Sequence, residues 1–257
     1  MREEKTLRPV IPNAGIEATY RKKLKRLIAE MQASITYWLE QRYRASMAQD
    51  ATPADDLQRT MTHLAEQWQA RFDEGAQRLA DWFAQKTKNY ADGTLQGILK
   101  DSGFAVKFTM TEPMENAYSA VIHEQVGLIK SIASEHLQEV QGLVMRSVQQ
   151  GRTLGELSQE LEKRYGITKR RAALIARDQN NKATAVLTRT RHQQLGITQA
   201  KWRHSHAGKH PRPSHVAFDG KTYDIDKGAY IDGEWILPGE LINCRCTARP
   251  VLPGIDY

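Results

Sequence analysis

The 257-residue sequence holds only 2 cysteines and no long apolar run. Two cysteines cannot build a disulfide framework, and these stand one residue apart, as Cys244 and Cys246, too close for an unstrained bridge between them. Apolar stretches such as Ala117 to Ile122 soon meet polar residues and fall far short of the ~20 residues a membrane span requires. The first residues, Met-Arg-Glu-Glu-Lys-Thr, are charged and lead into no apolar signal segment, so synthesis in a cytoplasm is the expectation. No glycine-rich loop cradles a phosphate, because Gly-Lys-His and Asp-Gly-Lys lack the required pattern, and ATP binding is not indicated. Internal repeats and low-complexity segments are also missing.

What is present is globular: 40% hydrophobic and 26% charged residues, on a length that suits one large domain or two modest ones. The formal net charge of +7 is unevenly spread. Residues 1–150 balance 19 basic against 19 acidic side chains, residues 151–212 hold 14 against 4, and residues 213–257 hold 4 against 7. A basic stretch of this kind attracts polyanions through counterion release, which makes nucleic acid the natural partner. An acidic protein surface or a merely solvated helix face remain the alternatives.

Residues 1–15 carry two prolines and a glycine, which forbid a helix and suit an extended arm able to dock on a neighbour. From Ile16 to Met47, apolar residues at three-and-four spacing predict an amphipathic helix. A second helix is expected from Asp55 to Tyr90, a turn at Asp92-Gly93, a short helix to Leu99 and a strand over Phe104 to Thr109. Glu112 to Gln150 predicts a third long helix, with Gly151 as its stop. Thr153 to Glu156 has capping-box spacing and opens a helix that Gly166 should end, and Thr168 starts a basic helix closing at Leu195-Gly196. Beyond Gly196, proline and glycine become frequent, and short β-prone pieces suggest a loop-rich β region with hairpin turns at Asp219-Gly220 and Asp232-Gly233. The expected fold is mainly α with a small C-terminal α+β part. Its organisation would be an arm (1–15), a long-helix domain for protein contacts (16–150) and a C-terminal domain (151–257), the last made of basic helices (153–195) and a β region (197–252).

Five of the eight histidines lie between His192 and His215. Imidazole and thiolate are the usual donors of tetrahedral zinc, so His206, His215, Cys244 and Cys246 form a candidate structural zinc set. Paired zinc cysteines are usually separated by two to four residues, and the competing reading is two small buried cysteines beside histidines bonded to backbone carbonyls. A metal-dependent nucleic-acid-processing enzyme would use the His-rich segment 204–215, with acids such as Asp219, Asp224 or Asp226 as further ligands. Cys244 paired with His215 as a nucleophile is a weaker variant. The same histidines, interspersed with Arg203, Lys209 and Arg212, serve equally well as phosphate donors. Aromatic residues at helical spacing, including Tyr37, Trp38, Trp68 and Phe72, read as core rather than interface anchors. Trp202 and Trp235 read as the core of the small β region.

One ordered set of residues is more specific than any of these. Ala176-Arg177-Asp178-Gln179, Gly196, Trp202, Arg212-Pro213-Ser214-His215, Asp219-Gly220, Pro238-Gly239 and Asn243-Cys244-Arg245-Cys246, in this order, resemble the phage Mu F-like minor head protein family, across roughly residues 150–252. The chain carries Asp178-Gln179 where relatives often carry Thr-Glu, and eleven residues follow Cys246, where some relatives carry a toxin domain. The resemblance implies a head morphogenesis protein of a tailed phage, made in the bacterial cytoplasm and present in a few copies in the procapsid and virion head. It implies portal protein, major capsid protein and packaged DNA as partners, and no established enzymatic activity. It marks Trp202, His215, Asp219, Gly220, Pro238, Asn243, Cys244 and Cys246 as motif residues. Lys169, Arg170, Arg171, Arg177, Arg203, Lys209 and Arg212 are then the expected sequence-independent contacts to double-stranded DNA.

Overall fold

A computed structural model describes residues 4–47, 53–206 and 210–256. The chain is mainly α with a small C-terminal antiparallel β region. The elements run β1 (Glu4–Thr6), α1 (Ala14–Met47), α2 (Pro53–Asp101), α3 (Glu112–Gln149), α4 (Leu154–Gln194), β2 (Gln199–Arg203), α5 (Pro213–Ala217), β3 (Thr222–Asp224), β4 (Ala229–Ile231), β5 (Glu234–Ile236) and β6 (Thr247–Asp256). Among the described residues, no helix is long and apolar enough to cross a membrane. Contacts divide the chain into two compact units that are not consecutive segments. A helical unit comprises Ala18–Asp81 and His123–Ala176, and a mixed unit comprises Met1–Glu17, Trp82–Ile122 and Arg177–Tyr257. The division falls within each of the four long helices.

The helical unit follows directly from apolar periodicity. Tyr20, Leu24, Ile28, Met31, Ile35 and Leu39 of α1 are buried, as are Leu57, Met61, Leu64, Trp68 and Phe72 of α2 and Ile129, Ile132, Val140 and Val144 of α3. Tyr37 and Trp38, expected in the core, are instead exposed: they fall between the buried Ile35 and Leu39 on the outer face of α1. One buried polar group inside this unit, His136, has partners on both ring nitrogens. Burial holds the His136 imidazole down at about 4, so the ring is neutral at pH 7. Its Nε2 lies 3.1 Å from Gln32 Oε1 and its Nδ1 2.9 Å from Thr168 Oγ1, so both ring nitrogens have a polar neighbour.

Gly166 does not end a helix. Buried Leu157, Leu161, Thr168, Ala172 and Ile175 carry one stripe across it, and this packing outweighs the ~1 kcal/mol cost of an interior glycine. The capping box upstream forms as its spacing predicts: Thr153 N–H donates to Glu156 Oε2 at 2.8 Å, and Glu156 N–H donates to Thr153 Oγ1 at 3.3 Å.

In the mixed unit, β1, β6, β2 and β3 form an antiparallel sheet in that order, and β4 and β5 form a separate hairpin. The N-terminal arm pairs with its own chain, Thr6 opposite Val251, and buries Leu7 and Val10 in this unit's core. Asn13 then caps α1, its Oδ1 accepting from Gly15 N–H at 2.8 Å and Ile16 N–H at 3.1 Å. Asp92-Gly93 is not a turn, for α2 runs through it. The Asp92 carboxylate is held by the guanidinium of the fully buried Arg191, through Nε at 2.7 Å and Nη2 at 2.8 Å. Arg191 also donates to Thr109 O and lies over the Phe108 ring at 4.7 Å. Phe104 to Thr109 is irregular chain packed beside α4, and no strand pairs with it among the described residues. α4 ends in a Schellman motif, with Gly196 N–H to Gln193 O and Ile197 N–H to His192 O, both at 3.0 Å. The Asp232-Gly233 turn joins β4 to β5 with both residues at positive φ, 56° and 87°. Asp219-Gly220 turns from α5 toward β3, not between two strands.

Candidate functional site

The site begins with a short helix whose only buried residue is His215, positioned by Pro213 in the first turn. Trp202 of β2, itself buried, meets the His215 ring edge to face at 5.2 Å and packs similarly against Phe218 and Tyr223. Against this aromatic wall comes the loop from Leu237 to Cys246. Cys244 and Cys246 are both buried while Arg245 between them is half-exposed, as expected of near-extended chain whose alternate side chains share a face. His215 Nδ1 stands 3.6 Å from the Cys244 sulfur and 3.6 Å from the Cys246 sulfur. The three donor atoms lie within 4.8 Å of one another and can hold a metal ion together.

The two thiols interact strongly. The Cys246 thiol, hydrogen-bonded to Cys244, stabilises a Cys244 thiolate and draws that group below the usual thiol range. The same contact and burial push Cys246 up. His206, the expected fourth zinc ligand, does not join them: its Nε2 meets Asp219 Oδ2 at 3.1 Å, and its side chain is 68% exposed. His204, which the candidate set omitted, is buried and close enough to feel the charges of His215 and Cys244. Burial holds its imidazole below the ordinary range. The Asp219 carboxylate, resisted by burial, is kept below its usual range by the His204 amide at 2.8 Å and the His206 ring.

The Cys-bearing loop is fastened to α4 by the other motif residues. Asp178 Oδ1, buried, accepts from Asn243 N–H at 2.7 Å, Arg177 Nη2 donates to Asn243 Oδ1 at 2.9 Å, and Asn181 Nδ2 donates to Cys244 O at 3.2 Å. Arg212 Nη2 donates to Ile242 O at 2.9 Å. Asn243 itself has a φ of 63°, a conformation that asparagine tolerates better than most residues. At Gly239, φ is 83° and an added Cβ would stand 3.1 Å from the Ala185 side chain, so only glycine lets the loop approach α4 this closely. Arg177, Asp178, Arg212, Gly239 and Asn243 thus all serve to hold the Cys-bearing loop. Residues 138–249 match the family model of Phage Mu protein F like proteins. This stretch is a Mu F-like domain.

An uncharacterized protein of Haemophilus influenzae is 28% identical over 251 residues, covering 95% of this chain and 55% of that protein. The NAD(+)–arginine ADP-ribosyltransferase EFV of Enterococcus faecalis is 27% identical over 132 residues, covering 48% of this chain and 27% of that enzyme. The chain thus spans about half the length of the first of these relatives, and less of the second. No solved structure matches.

Within the Mu F-like domain, the expected DNA contacts have unequal freedom. Arg170 and Arg212 are exposed, Lys169 lies over the Tyr165 ring at 3.8 Å, and Arg203 is half-buried. Arg171 is engaged with Glu135 at 2.8 Å and Ser131, and Arg177 with Asn243. Lys169, Arg170 and Arg171 belong to the helical unit, and Arg177, Arg203 and Arg212 to the mixed unit. Lys209 lies outside the described residues. Two acids of the nuclease reading have local duties: Asp224 Oδ1 accepts the Asp226 and Lys227 amides, and Asp226 accepts from Gln193. Pro238 is buried in the Cys loop, whereas Trp235, expected in the core, is 59% exposed on the β4–β5 hairpin beside Tyr230.

Proposed function

We propose that this protein acts in head morphogenesis of a tailed phage, as a minor head protein at or near the portal that also contacts packaged DNA. The match of residues 138–249 to Phage Mu protein F like proteins carries the reading. Portal and major capsid protein are the protein partners, the virion head is the destination, and synthesis takes place in the bacterial cytoplasm. The DNA role is supported by the surplus of basic side chains between residues 151 and 212, of which Arg170 and Arg212 are exposed. Such contacts are to phosphate and independent of sequence, and they weaken steeply as salt rises.

The role is read as non-enzymatic. Asp178, Arg177 and Asn181 spend polar atoms on residues 243 and 244 of the Cys-bearing loop. The activity of the Enterococcus faecalis enzyme is not carried across, since the match spans 27% of its length. Co-sedimentation with procapsids, containing or lacking portal, at low and high salt, tests the proposal. Salt-insensitive retention on portal-containing procapsids alone is expected. No retention on either shell, with salt-sensitive binding to DNA, would replace it by a nucleic-acid-binding reading. Metal-dependent plasmid cleavage abolished by His215→Ala would replace it by an enzyme.

A further inference from the structure

Two segments far apart in sequence, α5 and the Leu237–Cys246 loop, deliver one imidazole and two thiols to a single buried point. His215, Cys244 and Cys246 are 3%, 3% and 4% exposed. The observation to explain is the pair of equal distances, 3.6 Å from His215 Nδ1 to each sulfur. An imidazole nitrogen has a single in-plane lone pair or a single proton, so it cannot serve two sulfurs with two well-aligned hydrogen bonds. A shared cation removes this conflict. Zinc at about 2.3 Å from sulfur and about 2.05 Å from nitrogen, with tetrahedral angles, places each sulfur about 3.6 Å from the nitrogen.

The surroundings support the same arrangement. His215 Nε2 has no hydrogen-bond partner among the described residues, so the polar anchoring of this buried ring runs through Nδ1. The one-residue spacing of the cysteines, shorter than the usual zinc pair, works here because Arg245 turns to the other side of the chain and leaves both sulfurs facing His215.

We propose that His215 Nδ1, Cys244 Sγ and Cys246 Sγ bind one zinc-class divalent ion that ties α5 to the loop entering β6. The ion is structural, since its ligands are buried and Trp202 walls the cluster. A water molecule completes the coordination. The inference is independent of the head-assembly reading, because it concerns how the mixed unit is cross-linked and not what the unit binds.

The test uses the full chain, purified from zinc-supplemented cells and dialysed, with metal content measured by elemental analysis. About one zinc per chain is expected, falling to under about a tenth in C246S and in H215A, and staying near one in H206A, whose side chain pairs with Asp219. Cobalt in place of zinc should give a thiolate charge-transfer band that C246S loses. Far-UV circular dichroism, dominated by the four long helices, verifies that each variant is folded. If C246S or H215A does not fold, the wild type decides: chelation should lower its thermal midpoint and added zinc restore it. A folded wild type that holds no zinc and gives no cobalt–thiolate band overturns the proposal, as does equal zinc content in wild type and C246S, or a thermal midpoint indifferent to chelation.

Discussion

In the helical unit, buried positions such as Leu24, Ile28, Met31 and Ile35 recur along one face of α1, and the unit is held chiefly by apolar side chains at helical spacing. In the mixed unit, the decisive contacts are directional: Arg191 on Asp92, Asp178 on the Asn243 amide, Asn181 on Cys244 O, and Gly239 against Ala185. Apolar packing tolerates exchange of one hydrophobic residue for another of similar volume, whereas a directional polar contact admits few substitutes. Apart from Ala176, the ordered set of motifs recognisable in the sequence lies in the mixed unit. Residues there are constrained one by one, and not merely by class.

The comparison breaks most readily at its strongest polar contact. Arg191→Ala would take the bidentate partner from a carboxylate that is only 13% exposed, leaving it the Lys88 ammonium at 3.1 Å, and should cost about 3 kcal/mol in urea unfolding. Met31→Leu, in the core of the helical unit, should cost under about 1.5 kcal/mol. Equal costs would remove the distinction between the units.

A smaller effect sharpens the comparison by acting on both units. His136 in the helical unit and His192 in the mixed unit are each held at about 4 by burial, against an ordinary value of 6.5. Between those values the unfolded chain binds a proton that the folded ring refuses, so the stability contributed by the neutral rings is complete above about pH 6.5 and is lost as pH falls toward 4. The slope is at most about 1.4 kcal/mol per pH unit for each histidine. Urea midpoints measured between pH 7.5 and 5 should fall accordingly, and His136→Asn should flatten the decline. An unchanged slope in that variant would show that His136 is not the titrating group.

Local signals were legible in proportion to how locally they act. The capping box at Thr153 and Glu156, the Gly196 stop and the Asp232-Gly233 hairpin each depend on a few adjacent residues, and each forms as its residues demand. Asp92-Gly93 and Gly166 carry equally plain breaker residues, yet the helices run through them, because a buried arginine and a continuous apolar stripe outweigh the local preference. The alternation of Phe104 to Thr109 yields no strand, since a strand needs a partner that no local pattern specifies. At the site, the residue types pointed to a His–Cys cluster. Which histidines approach the sulfurs depended on the fold: His215 rides in on α5, while His206 is drawn to Asp219. The burial of His204 had no signature in residue spacing.

The central claim is that the motif residues act as structural ties fastening the Cys-bearing loop to α4. Peptide-resolved hydrogen exchange of the wild type and Asp178→Ala tests this most directly, because Asp178 Oδ1 accepts the Asn243 amide at 2.7 Å. The account predicts faster exchange across residues 237–246 in the variant, with protection in the helical unit retained. Unchanged protection of residues 237–246 would contradict it.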